Sequence, residues 1–126
     1  ENVRTFLGQI DRGNAKIAWE PRGDWKEHGK AVEKLCDQLD IIHAVDILRS
    51  EPAVAGKTSY FRLHGIGPRD FNYKYNYSRE DLERLREATI PTLRRGTMQV
   101  FIMFNNVSML ENAKAFQKIA QASGAD

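Results

Sequence analysis

The sequence predicts an α/β fold: a helix, then about four parallel strands, each followed by a helix. Three observations predict it. Short apolar runs alternate with stretches of helical periodicity along the chain. The runs are nearly all apolar, the pattern of strands covered on both faces. Finally, Ser or Asp heads three of the helical stretches with an acidic residue three positions later, a helix-start signature. Strands that alternate with helices argue for a parallel sheet packed under helices.

The elements follow in order. Val3, Phe6, Leu7 and Ile10 make one stripe of an opening helix, which the glycine-bearing stretch Asp11–Asn14 ends. The first strand is Lys16–Glu20, closed by Pro21. Asp24 with Glu27 opens a helix striped by Val32, Leu35, Cys36 and Leu39. The second strand is Ile41–Val45 and ends in Asp46. Ile47–Lys57, with Pro52 and Gly56, reads as a loop or a short helix. The third strand is Ser59–His64, followed by a long loop, Gly65–Tyr77. Ser78 with Asp81 opens a helix carrying Leu82, Leu85, Thr89 and Leu93, which Pro91 kinks or ends. The fourth strand is Gln99–Phe104. Ser108 with Glu111 opens the last helix, with Met109, Ala113, Phe116 and Ala120 on its apolar face, and Ser-Gly-Ala-Asp reads as a frayed tail.

Composition bounds the answer. The 126 residues suffice for a single domain, 1–126, with a modest core. Apolar residues at 41% and charged residues at 29% describe a folded chain and not a disordered one. No apolar run approaches the roughly 18 residues of a membrane helix, so no membrane span is expected. One cysteine, Cys36, makes neither an internal disulfide nor a cysteine-rich zinc site, so a reducing, cytoplasmic setting is expected. Cys36 lies in a helix stripe and is expected to pack as a small hydrophobe. A net charge of +2 permits an anionic partner without requiring one. The first residue is Glu1 and no signal-peptide pattern follows, as in a processed or trimmed product.

The strand ends carry the chemistry. They supply Glu20 and Arg22, then Asp46, then Arg62 and His64, then Asn105 and Asn106. In parallel α/β folds ligands bind where strands end and the following loops begin. Alternation along a strand puts Glu20 with Ala18 and Arg22, Asp46 with Ile42 and Ala44, and His64 with Tyr60 and Arg62. Ile17, Trp19, Phe61 and Leu63 take the opposite face, toward the helices. An arginine inside an apolar strand demands a partner, and Glu20 or Asp46 is the candidate. The charged group is open to two readings, a buried salt-bridge network or a ligand site. His64 fits a general base, a metal ligand or a hydrogen-bond partner. His28, early in a helix, and His43, of outward parity, read as structural.

The loop Gly65–Tyr77 holds Phe71, Tyr73, Tyr75 and Tyr77 beside Arg69 and Lys74. Such a mixture suits stacking on bases with neutralisation of phosphate, and equally a lid packed over the site. No GxxxxGK, GxGxxG, GxSxG or HExxH pattern is present. Nucleotide hydrolases of the P-loop type, dinucleotide dehydrogenases and serine hydrolases therefore lose support.

Four blocks stand together in a familiar order: Trp19-Glu20-Pro21-Arg22 with Trp25; Tyr60-Phe61-Arg62-Leu63-His64-Gly65; Tyr73-Lys74-Tyr75-Asn76-Tyr77-Ser78 with Glu80 and Leu82; and Phe104-Asn105-Asn106 with Asn112-Ala113. From about Lys16 onward the chain resembles the domain of unknown function 72 (YecE-like) family, and specifically its C-terminal half. The resemblance implies a partial TIM-type β/α barrel and a function that is not established. It implies pocket residues Glu20, Arg22, Asp46, Arg62, His64 and Asn105. Four strands do not close a barrel of the usual eight. A homodimer or a complementary N-terminal half-barrel is therefore the expected partner.

Two functions compete. One is an enzyme, a hydrolase of an anionic, phosphate-bearing substrate. Glu20, His64 and Asp46 would do the acid–base work or ligate a divalent metal, and Arg22, Arg62, Asn105, Tyr73 and Tyr75 would bind substrate. The other is a non-catalytic module that binds single-stranded nucleic acid or another anion, or a half-barrel that is inactive alone.

Overall fold

A computed structural model describes residues 2–124. Among them run α1 (Asn2–Gln9), β1 (Ala18–Trp19), a 3₁₀ helix (Gly23–Glu27), α2 (Gly29–Leu39), β2 (Ile42–His43), β3 (Thr58–Leu63), α3 (Arg79–Arg94), β4 (Gln99–Phe104) and α4 (Met109–Ser123). The expected frayed tail begins inside α4, whose C-cap is Gly124; its last two residues, like Glu1, lie outside the described residues.

The strands are parallel and neighbour one another in chain order. β1 pairs with β2 (Ala18↔Ile42, Trp19↔His43) and β3 with β4 from Thr58↔Gln99 to Leu63↔Phe104. Val45 bridges to Phe61, and the Arg62 N–H donates to the Val45 carbonyl at 2.9 Å. The fold is therefore mixed α/β, with two two-stranded parallel sheets meeting at that bridge. β1 and β2 are shorter than their apolar runs because only two residues of each find ladder partners. No helix follows β2: residues 47–49 form a turn, and the rest of the connection to β3 is loop.

The helix-facing parity holds. Phe61 and Leu63 are fully buried with Leu82, Leu85, Tyr77 and Phe104 in the main core. Burying each such side chain contributes roughly 1.5–3 kcal/mol. Ile17 and Trp19 pack with Val32, Cys36 and Ile41 in a second cluster, where the Trp25 ring meets Trp19 edge to face at 5.2 Å. Cys36 packs as expected, 2% exposed, and burial beside Asp37 pushes its thiol up to about 11.

The expected cover on both faces of every strand is not found. On β4, Phe101 and Met103 are 43% and 45% exposed, while Val100, Ile102 and Phe104 face the helices. Tyr60 pairs with Phe101 and Arg62 with Met103 in register, so one sheet face carries both the ionic residues and bare apolar ones.

Helix starts divide. Ser78 and Asp81 make the full capping box of α3: the Asp81 N–H donates to Ser78 Oγ at 3.1 Å, and the Ser78 N–H donates to the Asp81 carboxylate at 2.9 Å. Pro91 sits in the last turns of α3, where the stripe ends on buried Thr92 and not on Leu93, which is 49% exposed. Asp24 and Glu27 cap no α-helix. They lie in the 3₁₀ helix, and α2 starts after His28 without a side-chain cap. Ser108 is the N-cap of α4 but makes no side-chain cap bond, its ψ of 29° being far from the extended value that capping needs.

The face of α4 is also rotated from expectation. Asn112, Ala115, Phe116 and Ile119 turn inward, and Met109 and Leu110 are more than half exposed. Asn112, 4% exposed, sets this register by hydrogen bonds with Asn76, Asn106 and the Tyr77 backbone. No described helix is long and apolar enough to cross a membrane.

Candidate functional site

Glu20, just past β1, reaches across to the end of β3. Its Oε2 accepts from Arg62 at 2.8 Å and its Oε1 faces His64 Nε2 at 2.5 Å. Continuing the β1–β2 register one step sets Ala44 beside Glu20, and the small alanine leaves the long carboxylate room to cross β2. Of the two partners expected for Arg62, the structure selects Glu20. Arg22, 56% exposed at its side chain, approaches Glu20 more loosely at 3.4 Å.

His64 is buried and fully engaged. Its Nδ1 meets the Asn105 amide at 3.2 Å. The Asn105 amide at Nδ1 and the Glu20 carboxylate at Nε2 orient the ring, with the Nε2–H facing Glu20 as assigned from these partners. Burial pushes the Glu20 carboxyl up, but hydrogen bonds from His64 and Arg62 outweigh it and hold the group below the ordinary glutamate value.

Asp46 stands apart from the Glu20–His64 side-chain contact. Its carboxylate accepts the backbone N–H groups of His64 and Leu48, both at 3.1 Å, and pairs with Arg49 at 3.5 Å. Burial pushes its carboxyl up by more than those partners lower it. Asp46 thus fixes where His64 stands and leaves the imidazole to Glu20.

The aromatic loop is pinned at its root. Gly65 has a φ of +84°, and a Cβ there would collide with the Asn72 carbonyl and the Tyr75 side chain. Its N–H donates to the Tyr77 hydroxyl at 2.7 Å, and burial pushes that phenol up to about 12. Tyr75 donates to Asp81 at 2.7 Å, which ties it to the α3 cap and not to the Glu20 cluster. Tyr73 is 44% exposed and stacks on Phe71. His43 accepts the Ala53 N–H at 2.9 Å, a structural role as expected.

Glu20, Arg22, Asp46, Arg49 and His64 line a cleft of about 570 Å³. Arg62 and Asn105 stand beside it on the open sheet face. A larger cleft of about 860 Å³, between α3 and α4, contains none of these residues. Arg49 was not legible as a site residue: it lies in a poorly patterned stretch, although its position three residues after Asp46 is the spacing of an ion pair. Among the described residues no group of three His, Cys, Asp or Glu side chains gathers as a metal site. Glu20 and His64 alone offer two donors, and Asp46 spends its oxygens on backbone N–H groups.

No family model and no curated protein matches the chain. Solved structures do. A crystal structure of a DUF72 family protein from Enterococcus faecalis superposes with a TM-score of 0.66 at 20% identity, over 95% of this chain and 52% of that one. A DUF72 family protein from Thermotoga maritima gives 0.63 at 20%, over 94% and 50%. The fold is that of about half a DUF72 protein. The chain spans about half the length of the DUF72 structures it matches, and the resemblance read from the sequence blocks is thereby met in three dimensions.

Proposed function

We propose that the chain is one half of a TIM-type β/α barrel whose strand-end cluster binds a phosphate-bearing anion and hydrolyses its ester. The observation that carries this reading is the Glu20 carboxylate engaged at once by Arg62 and His64 at the carboxyl ends of parallel strands. Arg62 and Arg22, both solvent-accessible, present planar guanidinium groups to the anion. Asn105 orients the substrate at His64 Nδ1. When a water replaces the Asn105 amide there, Nδ1 takes the water's proton as its oxygen bonds to phosphorus. The ester P–O bond breaks, and the leaving alkoxide takes that proton back. Glu20, on Nε2–H, stabilises the imidazolium between the two transfers. No step uses a metal.

The half-barrel reading rests on the parallel strand order and on coverage of half of each DUF72 chain. A closed barrel takes about eight strands. A second copy or a complementary half-barrel would cover Phe101 and Met103 and complete the pocket wall, in the cytoplasmic setting that a single buried thiol suits.

Hydrolysis of 4-nitrophenyl phosphate and of bis(4-nitrophenyl) phosphate tests the activity. Turnover that His64→Gln and Arg62→Gln both abolish is expected, and unchanged rates would remove the assignment. Binding of inorganic phosphate without any turnover would leave the second reading, an anion-binding module. Light scattering over a concentration series tests the assembly, for which a dimer is expected; a monomer at every concentration excludes the second copy.

A further inference from the structure

We propose that Phe71 and Tyr73 form a stacking platform for a planar heteroaromatic ring, so that the ligand of the strand-end cluster is a nucleotide unit. The base would lie on the platform and the phosphate on the arginines. The phosphate half rests on the anion-site reading above; the platform has observations of its own.

The two rings are nearly parallel, with centroids 5.1 Å apart and 16° between their planes. They are nevertheless 46% and 44% exposed. Large aromatic rings held in water forgo burial that folding would otherwise favour. The backbone beneath them is fixed on several sides. Asn72, between the two, donates its N–H to the His64 carbonyl at 2.6 Å and its side-chain amide to Ile66 at 3.0 Å. The Tyr73 carbonyl accepts the Val107 N–H at 2.7 Å, just beyond Asn105. Asp70, next to Phe71, pairs with Lys26 at 2.6 Å and lines the cleft that holds Glu20, Arg22 and His64.

The backbone of the platform is thus held in place, and Phe71 follows directly in sequence on Asp70, which lines the cleft. Through Asn72 it lies one hydrogen bond from His64. What it offers is exposed, near-parallel flat aromatic surface, with Lys74 adjacent in sequence and Arg22 and Arg62 at the cluster. Flat face and cations together are met by a ring joined to a phosphate.

Isothermal titration of the chain with AMP, adenosine, ribose 5-phosphate and a short oligoadenylate tests this, alongside Phe71→Ala, Tyr73→Ala and Arg62→Gln, with circular dichroism confirming the fold of each. AMP is expected to bind about tenfold or more tighter than ribose 5-phosphate. Phe71→Ala and Tyr73→Ala should erase that difference and leave ribose 5-phosphate binding unchanged. Arg62→Gln should weaken both phosphates and spare adenosine. Tight, steeply salt-dependent oligoadenylate binding would name a single strand as the source of the nucleotide, and equal affinity per nucleotide a free one. Equal affinity for AMP and ribose 5-phosphate overturns the platform and leaves the anion site standing. Adenosine binding lost in Tyr73→Ala, with no phosphate binding, keeps the platform and overturns the anion site. Binding of neither AMP nor adenosine overturns the proposal.

Discussion

Glu20 divides its carboxylate between Arg62, 2.8 Å from one oxygen, and His64, 2.5 Å from the other. The folded carboxyl titrates below its ordinary value of 4.5. In that window the unfolded chain binds more protons than the folded one. This contribution to stability is therefore full above pH 4.5 and is lost as pH falls through the folded value. Glu20→Gln should cost about 1 kcal/mol at pH 7, since the ion pair is partly solvated, and should flatten the acid limb. Urea unfolding from pH 7 down to pH 3 checks both; an acid limb as steep in the variant as in the parent would contradict the assignment.

Gly65→Ala should be among the costliest single changes. The site combines a φ of +84° with a Cβ that meets the Asn72 carbonyl, so the loop must move and the Asn72–His64 hydrogen bond must break. A loss of about 3 kcal/mol is expected from strain and the broken bond together. A thermal midpoint equal to that of the parent would be the contrary result.

Tyr77→Phe removes only a hydroxyl. It leaves the buried Gly65 N–H without its acceptor, which costs about 1–3 kcal/mol. Chemical denaturation measures this, with an unchanged slope expected because the buried surface is the same. A cost near zero would mean that the hydroxyl does not hold the loop root.

Alkaline pH should destabilise the fold in two overlapping windows. The unfolded chain releases the Cys36 proton near 9.0 and the folded chain near 11. Stability is thus full below pH 9 and falls as pH rises toward 11. Tyr77 does the same between 10 and about 12. Cys36→Ala should remove the earlier loss, seen as a shallower fall in melting temperature between pH 9 and 11. Native Cys36 should also resist aromatic disulfide reagents at pH 8, reacting only on unfolding.

Side-chain alternation made the cluster legible. In parallel strands that neighbour one another in chain order, residues of equal parity near strand ends must share a face, and Glu20, Arg62, His64 and Asn105 do. The choice of Glu20 over Asp46 was not legible. It depends on the turn after Asp46, which directs that carboxylate to the His64 and Leu48 backbone and to Arg49. The α4 face was misjudged because an apolar stripe counts asparagine as an outside residue, and here a buried asparagine network sets the rotation. The Asp24 cap pattern gave way to tertiary packing: Trp25 docks edge-on against Trp19 within the 3₁₀ helix, and α2 begins only after it.

Among the described residues a single backbone bridge, Val45 to Phe61, joins the two sheets, one rung where a continuous sheet would have a ladder. Glu20 belongs to the first sheet's side of that seam, and Arg62 and His64 to the second. The same two contacts that poise the pocket are therefore also stitches across the seam. On the proposed anion-site reading, a bound anion that drew Arg62 away from Glu20 would undo one of them, so that filling the pocket and slackening the join would be a single event. Its signature would be faster amide exchange at Arg62 itself, whose N–H closes the rung.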